Sequence, residues 1–554
     1  MGTPCYRILA DAFVKEGVTD VFALTGDGNM YWEAAYTEAP GTRTINVRHE
    51  HAAVAMASAY ARVADTVGVA SVTCGPGVTQ ISTALATAVQ ARIPLVIFAG
   101  ESPLHGGWYN QSIDLGPIVT ATGARYIPVH STARLHACVL EAFHHARSRN
   151  EPVVLGVPFD LQKEKVETPG EYTPSTAFLP DAGPRWPHPD YLARAVDRLR
   201  AARRVVVIAG RGARGPDARD ACIRLAERVN GALATTLPMR GLFAGHKRDI
   251  GSAGSFGHPA TGDALKNADL IIAVGASLRG YTSDHGRVFP PEKVLQIDEH
   301  PTGLARGRAT AALFLAADAA LGVSALADAI EAESPAPDWP DWGAEDYARR
   351  LRSEPIDSFE YPVEQGTLDP RAVIGALDAA LPKDWGCVNS SGHSSFFSAH
   401  MLDRPAGTFL TIREFGAIGN GLGYAAGMAA ARPNRPTVLL EGDGGLMVHI
   451  QELETIRLQG WKILICVLND GAYGAEIHKL RADGLSDKGG VYGRNDLARM
   501  AEGFGIRGAV VDRLEALPGL IEEFRRGEGS MLLDIQVSDQ VISPRMAMNI
   551  GLRK

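Results

Sequence analysis

Residues 437–471 read TVLLEGDGGLMVHIQELETIRLQGWKILICVLNDG. Residues 437–440 and 463–468 are short runs rich in Val, Ile and Leu. That is the pattern of strands buried on both faces of a parallel sheet. Between them a helical pattern predicts one helix with Met447, Ile450, Leu453 and Ile456 on one face. Strand, helix, strand is the unit that builds a doubly wound α/β sheet. Both strands then end at the same carboxyl edge, where such sheets bind ligands. Each end carries an acid, Asp443 in Gly442-Asp443-Gly444-Gly445 and Asp470 in Asn469-Asp470-Gly471. Two carboxylates in one crevice, beside glycines that let backbone approach closely, suit Mg2+ carrying a diphosphate. The N–H groups of the following helix would point at the phosphates. Alone, a Gly-Asp-Gly is equally a capping Asp, and Asn-Asp-Gly a turn. The separation of one strand–helix–strand unit favours a shared site.

The same alternation runs outward through the chain. Helices are predicted over 6–16 and 51–63, and strands over 20–24, 67–73, 95–99 and 153–157. Pro169, Pro174, Pro180, Pro184, Pro187 and Pro189 then read as a linker. Strands resume at 205–209, 270–274 and 294–297. A second linker is predicted over 334–355, with Pro335, Pro337 and Pro340. A last strand is predicted over 531–537. The expected fold is α/β, with three doubly wound parallel-sheet domains over residues 1–168, 186–333 and 360–554.

Composition narrows the function. The chain has 554 residues, 45% hydrophobic and 21% charged, with a net charge of −8. It has no basic tract, which argues against a nucleic-acid partner. No apolar run approaches the roughly 18–20 residues of a membrane span. Asp11, Lys15 and Glu16 make the first helix amphipathic rather than a signal peptide. Six scattered cysteines with no CxxC argue against a disulfide framework or a zinc site. A multi-domain soluble protein of the reducing cytoplasm is the expectation.

With these motifs the chain resembles the thiamine diphosphate (ThDP) enzymes of the acetolactate synthase, 2-oxo acid decarboxylase and benzaldehyde lyase group, from Ile8 to about Val537. The resemblance implies ThDP and Mg2+ as cofactors. The group follows Gly-Asp-Gly with Asn-Asn; here the second Asn is Asp470, which should tighten Mg2+ but repel the diphosphate more. By resemblance, Asp443, Asp470 and the Ala472 carbonyl hold the metal. Gly442, Gly444, Gly445, Asp470, Ala472 and Tyr473 contact the cofactor. The group also needs a glutamate bonded to N1′ of the aminopyrimidine, which favours the imino tautomer and deprotonation of thiazolium C2. Arg48-His49-Glu50-His51-Ala52-Ala53 matches that segment, so Glu50 is the candidate. Read alone, Glu50 is a helix-start charge favoured by the dipole. Thr73-Cys74-Gly75-Pro76-Gly77 matches the next segment and adds Gly75 and Pro76. His49 and His51 should point to different faces of a helix, and HExxH is absent, so no metal site is expected there. Ile418 matches the bulky residue that props the cofactor into its bent shape, or is simply core. Gly392, His393 and Ser394 match the first diphosphate loop, although His393 could equally be a solvated histidine. In the group the two halves of the site come from different subunits. A homodimer or homotetramer with active sites at the interface is therefore implied.

The substrate side mixes patterns. Gly26-Asp27-Gly28-Asn29 resembles the proton-shuttling loop of pyruvate and indolepyruvate decarboxylases, and Glu476 falls at their substrate-facing glutamate. Their paired histidines are missing. Asn110-Gln111-Ser112-Ile113-Asp114 instead resembles the glutamine loop of acetolactate synthase and benzaldehyde lyase. Asp27 otherwise reads as a helix cap and Glu476 as a surface charge. The expected function is a lyase or transferase acting on a 2-oxo acid or related carbonyl, by decarboxylation or carboligation. Acyloin or 2-hydroxyacyl cleavage and dione hydrolysis are the alternatives within the group. From a different class, Gly210-Arg211-Gly212-Ala213-Arg214-Gly215 is a formal GxGxxG after a strand. It suits an NAD(P)-dependent dehydrogenase, with Arg211 and Arg214 fitting a 2′-phosphate. Some members of the resembled group bind FAD in this central domain. Gly275 to Arg279 and Gln296-Ile297-Asp298 sit where those make contacts, which makes FAD a candidate.

Overall fold

Parallel strands need a crossover between each pair, and this chain supplies one every time. The computed structural model describes residues 2–180, 182–301, 311–332, 338–402 and 404–552. They form three six-stranded parallel sheets. The first holds Asp20–Ala23, Arg43–Asn46, Gly68–Val72, Leu95–Glu101, Arg125–Pro128 and Pro152–Pro158. The third holds Gly386–Asn389, Phe409–Thr411, Thr437–Gly442, Ile463–Asn469, Arg507–Val511 and Met531–Gln536. Counted along the chain, both have the spatial order second, first, third, fourth, sixth, fifth. The middle sheet, Val205–Ala209 to Leu313–Ala316, runs third, second, first, fourth, fifth, sixth. Its order reverses between Val205–Ala209 and Leu270–Val274, which opens a crevice there. Among the described residues no helix is long and apolar enough to cross a membrane.

Register explains why the two acids meet. Thr437 pairs with Ile463 and Gly442 with Leu468, so Asp443 and Asp470 both fall just past the paired ends. The segment between them is not one helix. It forms Asp443–Val448 and Glu452–Leu458, interrupted where His449 Nδ1 donates to the Gly419 carbonyl oxygen, 2.9 Å away. As a result Met447 turns out to solvent, 37% exposed, while Leu453 and Ile456 stay buried.

The second proline-rich stretch is also not a simple linker. Ser334, Pro335 and Pro337 lie outside the described residues, but Ala344–Ser353 is a helix. Ala344 and Ala348, one turn apart, bury it against Ile250 and Ala264 of the middle layer. The first stretch is tied down as well. Ser175 donates its backbone N–H to the buried carboxylate of Glu16 at 2.8 Å, and Tyr172 and Arg147 bond the same group.

The outer layers share one core. Helix Glu50–Ala64 packs against helix Gly421–Ala431, and each links the second and third strands of its own sheet. Both are Ala- and Gly-rich, so the backbones approach closely. A Cβ at Gly427 would run into the Met56 carbonyl oxygen and lie 2.9 Å from the Ala59 Cβ. Gly427→Val should therefore destabilise the protein by about 1–3 kcal/mol through overpacking. Gly375 lies inside another helix with open space where a Cβ would go, so Gly375→Ala should be neutral or stabilising. Thermal midpoints of the two variants check the contrast, and equal midpoints would remove the packing argument.

Candidate active site

At the carboxyl edge of the third sheet, Asp443 is 4% exposed. Its Oδ2 accepts from the Gly471 N–H at 3.0 Å, and Asp470 Oδ1 accepts from Ala472 N–H at 3.1 Å. Burial pushes the Asp443 carboxyl up to about 6. Burial, and then the charge of Asp443, push Asp470 well above the carboxylate range. Two buried acids that repel each other are ready for a cation. The Ala472 carbonyl beside them accepts from the Tyr492 hydroxyl at 3.2 Å, and Tyr492 also bonds Asp443. The donor set is all oxygen, which suits Mg2+. Among the described residues no group of three or more His, Cys, Asp or Glu could hold a metal.

Next to this pair lies a cavity of about 60 Å3. Gly392, His393, Ser394, Ile418, Gly442, Asp443, Gly444, Gly445, Asp470, Ala472, Tyr473 and Glu476 all line it. The Ser394 hydroxyl is buried there without a partner, which fits a phosphate oxygen. His393 is not a solvated loop residue: it is 7% exposed, and burial holds it well below its ordinary pKa. Its Nε2 accepts from Ser543 N–H at 3.1 Å, leaving Nδ1 as the donor. Tyr473 is 43% exposed and stands edge-on to Tyr492, ring centroids 5.2 Å apart. Glu476 sits at the exposed rim, 3.7 Å from Lys479.

Two residues here were invisible to spacing. Tyr492 arrives from a loop with no motif. Glu441 precedes the motif and is fully buried, with burial pushing it up to about 8. The Gly442 N–H donates to it at 3.2 Å, and a Cβ at Gly421 or Gly445 would strike its carboxylate. Gly445 thus makes room for Glu441 as well as for a ligand.

The remaining candidates gather at the carboxyl edge of the first sheet. Asp27 is exposed at the tip of its loop, whose Gly28 N–H donates to Thr73 Oγ1 at 3.0 Å. The Tyr109 hydroxyl lies 3.3 Å from Asp27 Oδ2 and 3.4 Å from Gln111 Oε1, and Cys74 Sγ lies 3.2 Å from Gln111 Oε1. Gly75 has φ +55°, and its turn rests on the Gln111 backbone, where any Cβ would collide. Pro76 is exposed at the start of Pro76–Gln80. Glu50 is the half-buried first residue of Glu50–Ala64, capped by His49. None of Asp27, Glu50, Gly75, Pro76 or Gln111 lines the cavity of the third sheet.

His49 and His51 do not diverge as expected. Because His49 is the cap, its Nδ1 accepts from His51 N–H at 3.1 Å, and both rings converge on His449 at 5.0 and 4.7 Å. His51 also bonds Asn420 at 2.6 Å, and burial brings it down to about 4. These rings join the first layer to the third.

In the middle layer the glycines of the formal dinucleotide motif meet protein. A Cβ at Gly210 would strike Ala276, and one at Gly212 would lie 2.7 Å from Gly275 Cα. Arg211 Nη1 donates to the Ala91 carbonyl at 3.0 Å, and Arg214 bonds Asp65 at 2.8 Å. Both arginines expected to suit a 2′-phosphate are thus engaged with the first layer. A cavity of about 350 Å3 does open here, lined by Gly275, Arg279, Asp298 and Arg413 among others.

Comparison with known proteins gives three matches in order. They are the thiamine pyrophosphate enzyme N-terminal TPP binding domain over residues 5–112, the central domain over 192–326, and the C-terminal TPP binding domain over 390–535. The chain is 28% identical over 529 residues to the acetolactate synthase isozyme 3 large subunit of Escherichia coli (strain K12), covering 93% of this chain and 91% of that one. It is 28% identical over 571 residues to the probable acetolactate synthase 2, chloroplastic, of Oryza sativa subsp. japonica, covering 96% and 83%. It is 26% identical over 545 residues to the acetolactate synthase large subunit of Parasynechococcus marenigrum (strain WH8102), covering 96% and 86%.

Proposed function

Since the chain belongs to the thiamine pyrophosphate enzymes, we propose that it is a ThDP- and Mg2+-dependent, acetolactate-synthase-like enzyme. It makes or breaks a C–C bond next to the carbonyl of a 2-oxo acid or related compound, by decarboxylation followed by protonation or carboligation. When bound, ThDP supplies a carbon nucleophile and an electron sink. The observation that carries this reading is the single cavity in which Asp443, Asp470 and the Ala472 carbonyl stand beside Ser394 and the glycines of residues 442–445. Asp443, Asp470 and Ala472 would hold the metal, and Ser394, His393 Nδ1 and Gly442 to Gly445 the diphosphate. Residues 360–554 thus serve as the diphosphate domain and 1–168 as the pyrimidine domain.

Glu50 would hold a proton at the pyrimidine, and Gln111, Asp27 and Glu476 would bind oxygen or move protons at the substrate. The first-sheet cluster lies outside the third-sheet cavity of the same chain. We therefore infer a homodimer or homotetramer in which each cavity is completed by a second copy. The middle cavity, at the point of strand reversal with Arg413 and Asp298 on its wall, is where FAD would sit. All six cysteines are free and buried, in keeping with a cytoplasmic location.

Calorimetric titration of EDTA-stripped protein tests the reading. ThDP with Mg2+ should give a saturable heat that vanishes without the metal, and NADP+ should give none. A heat with NADP+ and none with ThDP would overturn it.

A further inference from the structure

Tyr109 belongs to no motif and Cys74 carries no role in its own, yet both reach the side-chain amide of Gln111. Tyr109 is held in place from two sides. Its ring meets Phe159 edge-on at 5.2 Å, and the root of its loop is tied by Asp160, which accepts from Leu104 and His105 N–H at 3.1 and 3.0 Å. The Gln111 backbone is fixed by the Gly75 turn. The remaining freedom is which end of the amide faces the protein.

The Cys74 thiol favours one end. With Oε1 inward, the buried Cys74 S–H has an acceptor at 3.2 Å. Turned the other way, it would have only the Tyr109 and Thr73 hydroxyls, each at 3.9 Å. Buried polar groups take the arrangement that satisfies them. The Tyr109 hydroxyl adds a second donor at 3.4 Å from the same oxygen, shared with Asp27. An oxygen pinned inward leaves the NH2 outward.

We propose that Tyr109 and Cys74 are positioning residues that fix Gln111 as a hydrogen-bond donor toward the substrate. The amide then meets the substrate oxygen that gains negative charge during the reaction, not a hydroxyl proton. A donor aimed at developing charge acts on the reaction step more than on substrate binding. The substrate part of this inference rests on the proposed ThDP function; the amide direction does not.

Two measurements separate them. The S–H stretching band of Cys74, isolated as the infrared difference between wild type and Cys74→Ser, should stand at a hydrogen-bonded frequency. In Gln111→Leu it should move to that of an unbonded thiol. A band already at the unbonded position and unmoved by Gln111→Leu overturns the amide direction, and with it the proposal. The second readout is turnover of pyruvate by the holoenzyme. Tyr109→Phe combined with Cys74→Ala should lower kcat by about ten- to a hundredfold, with KM changed less than about threefold. Cys74→Ser keeps a donor at that position and should recover most of what Cys74→Ala loses. Equal kcat in wild type and the double variant overturns the positioning role. A wild-type protein that neither binds ThDP nor turns over pyruvate would sink the ThDP reading, while the infrared band still decides the amide direction.

Discussion

Glu50→Gln is expected to lower turnover by about a hundred- to ten-thousandfold, the range of a lost proton-transfer partner, while leaving ThDP and Mg2+ binding nearly intact. The substitution keeps the size of the side chain and removes only its charge and its ability to carry a proton. Glu50 is the first residue of its helix and is half-buried, so the protein loses little besides a favourable dipole contact. It does not line the cavity that holds the two acids, so the diphosphate end has no reason to weaken. Turnover and a ThDP titration on the same preparation check both halves. A fully active variant would remove Glu50 from the mechanism.

Asp443→Ala should act in the opposite way, weakening Mg2+-dependent ThDP binding by at least about a hundredfold, beyond the loss typical of a residue one step back from a metal. The loss would not come from unfolding. In the metal-free protein Asp443 is buried, repels Asp470 and is held up to about 6 by its burial. Removing it should leave the metal-free thermal midpoint at or above that of wild type. Unchanged ThDP binding in the variant would disqualify this crevice. The same two variants test the shared site. Mixed and reassembled, Glu50→Gln and Asp443→Ala chains should regain roughly a quarter of wild-type activity if each site draws on two copies. No recovery, with exchange of subunits verified, would mean that each chain builds its site alone.

How far the sequence could be read followed burial. Strands Val205–Ala209 and Leu270–Val274 fall where the apolar runs place them, because both lie inside a sheet and are apolar throughout. Arg43–Asn46 and Arg507–Val511 escaped: both are edge strands that begin with an exposed arginine and bury only one residue each fully. Ala344–Ser353 was masked by the prolines around it, although its buried alanines are one turn apart. The acids were legible because strand ends converge at one edge by rule. Tyr109, Tyr492 and Glu441 were not. Their importance comes from what other parts of the chain bring against them, and no spacing along the sequence encodes that.

The helix pair that joins the outer layers has a consequence of its own. Each helix occupies the same place in its sheet, between the second and third strands, and the two sheets share one winding order. Equivalent elements meeting face to face are what a twofold axis produces between identical subunits. One chain therefore has the form of a symmetric dimer joined into a single polypeptide, one unit written twice and then specialised. The scaffold does not decide which copy would hold metal and phosphate and which carries Glu50. That asymmetry resides in a handful of loop residues at the sheet edges, so the division of labour between the halves can change by substitution there while the duplicated frame stays fixed.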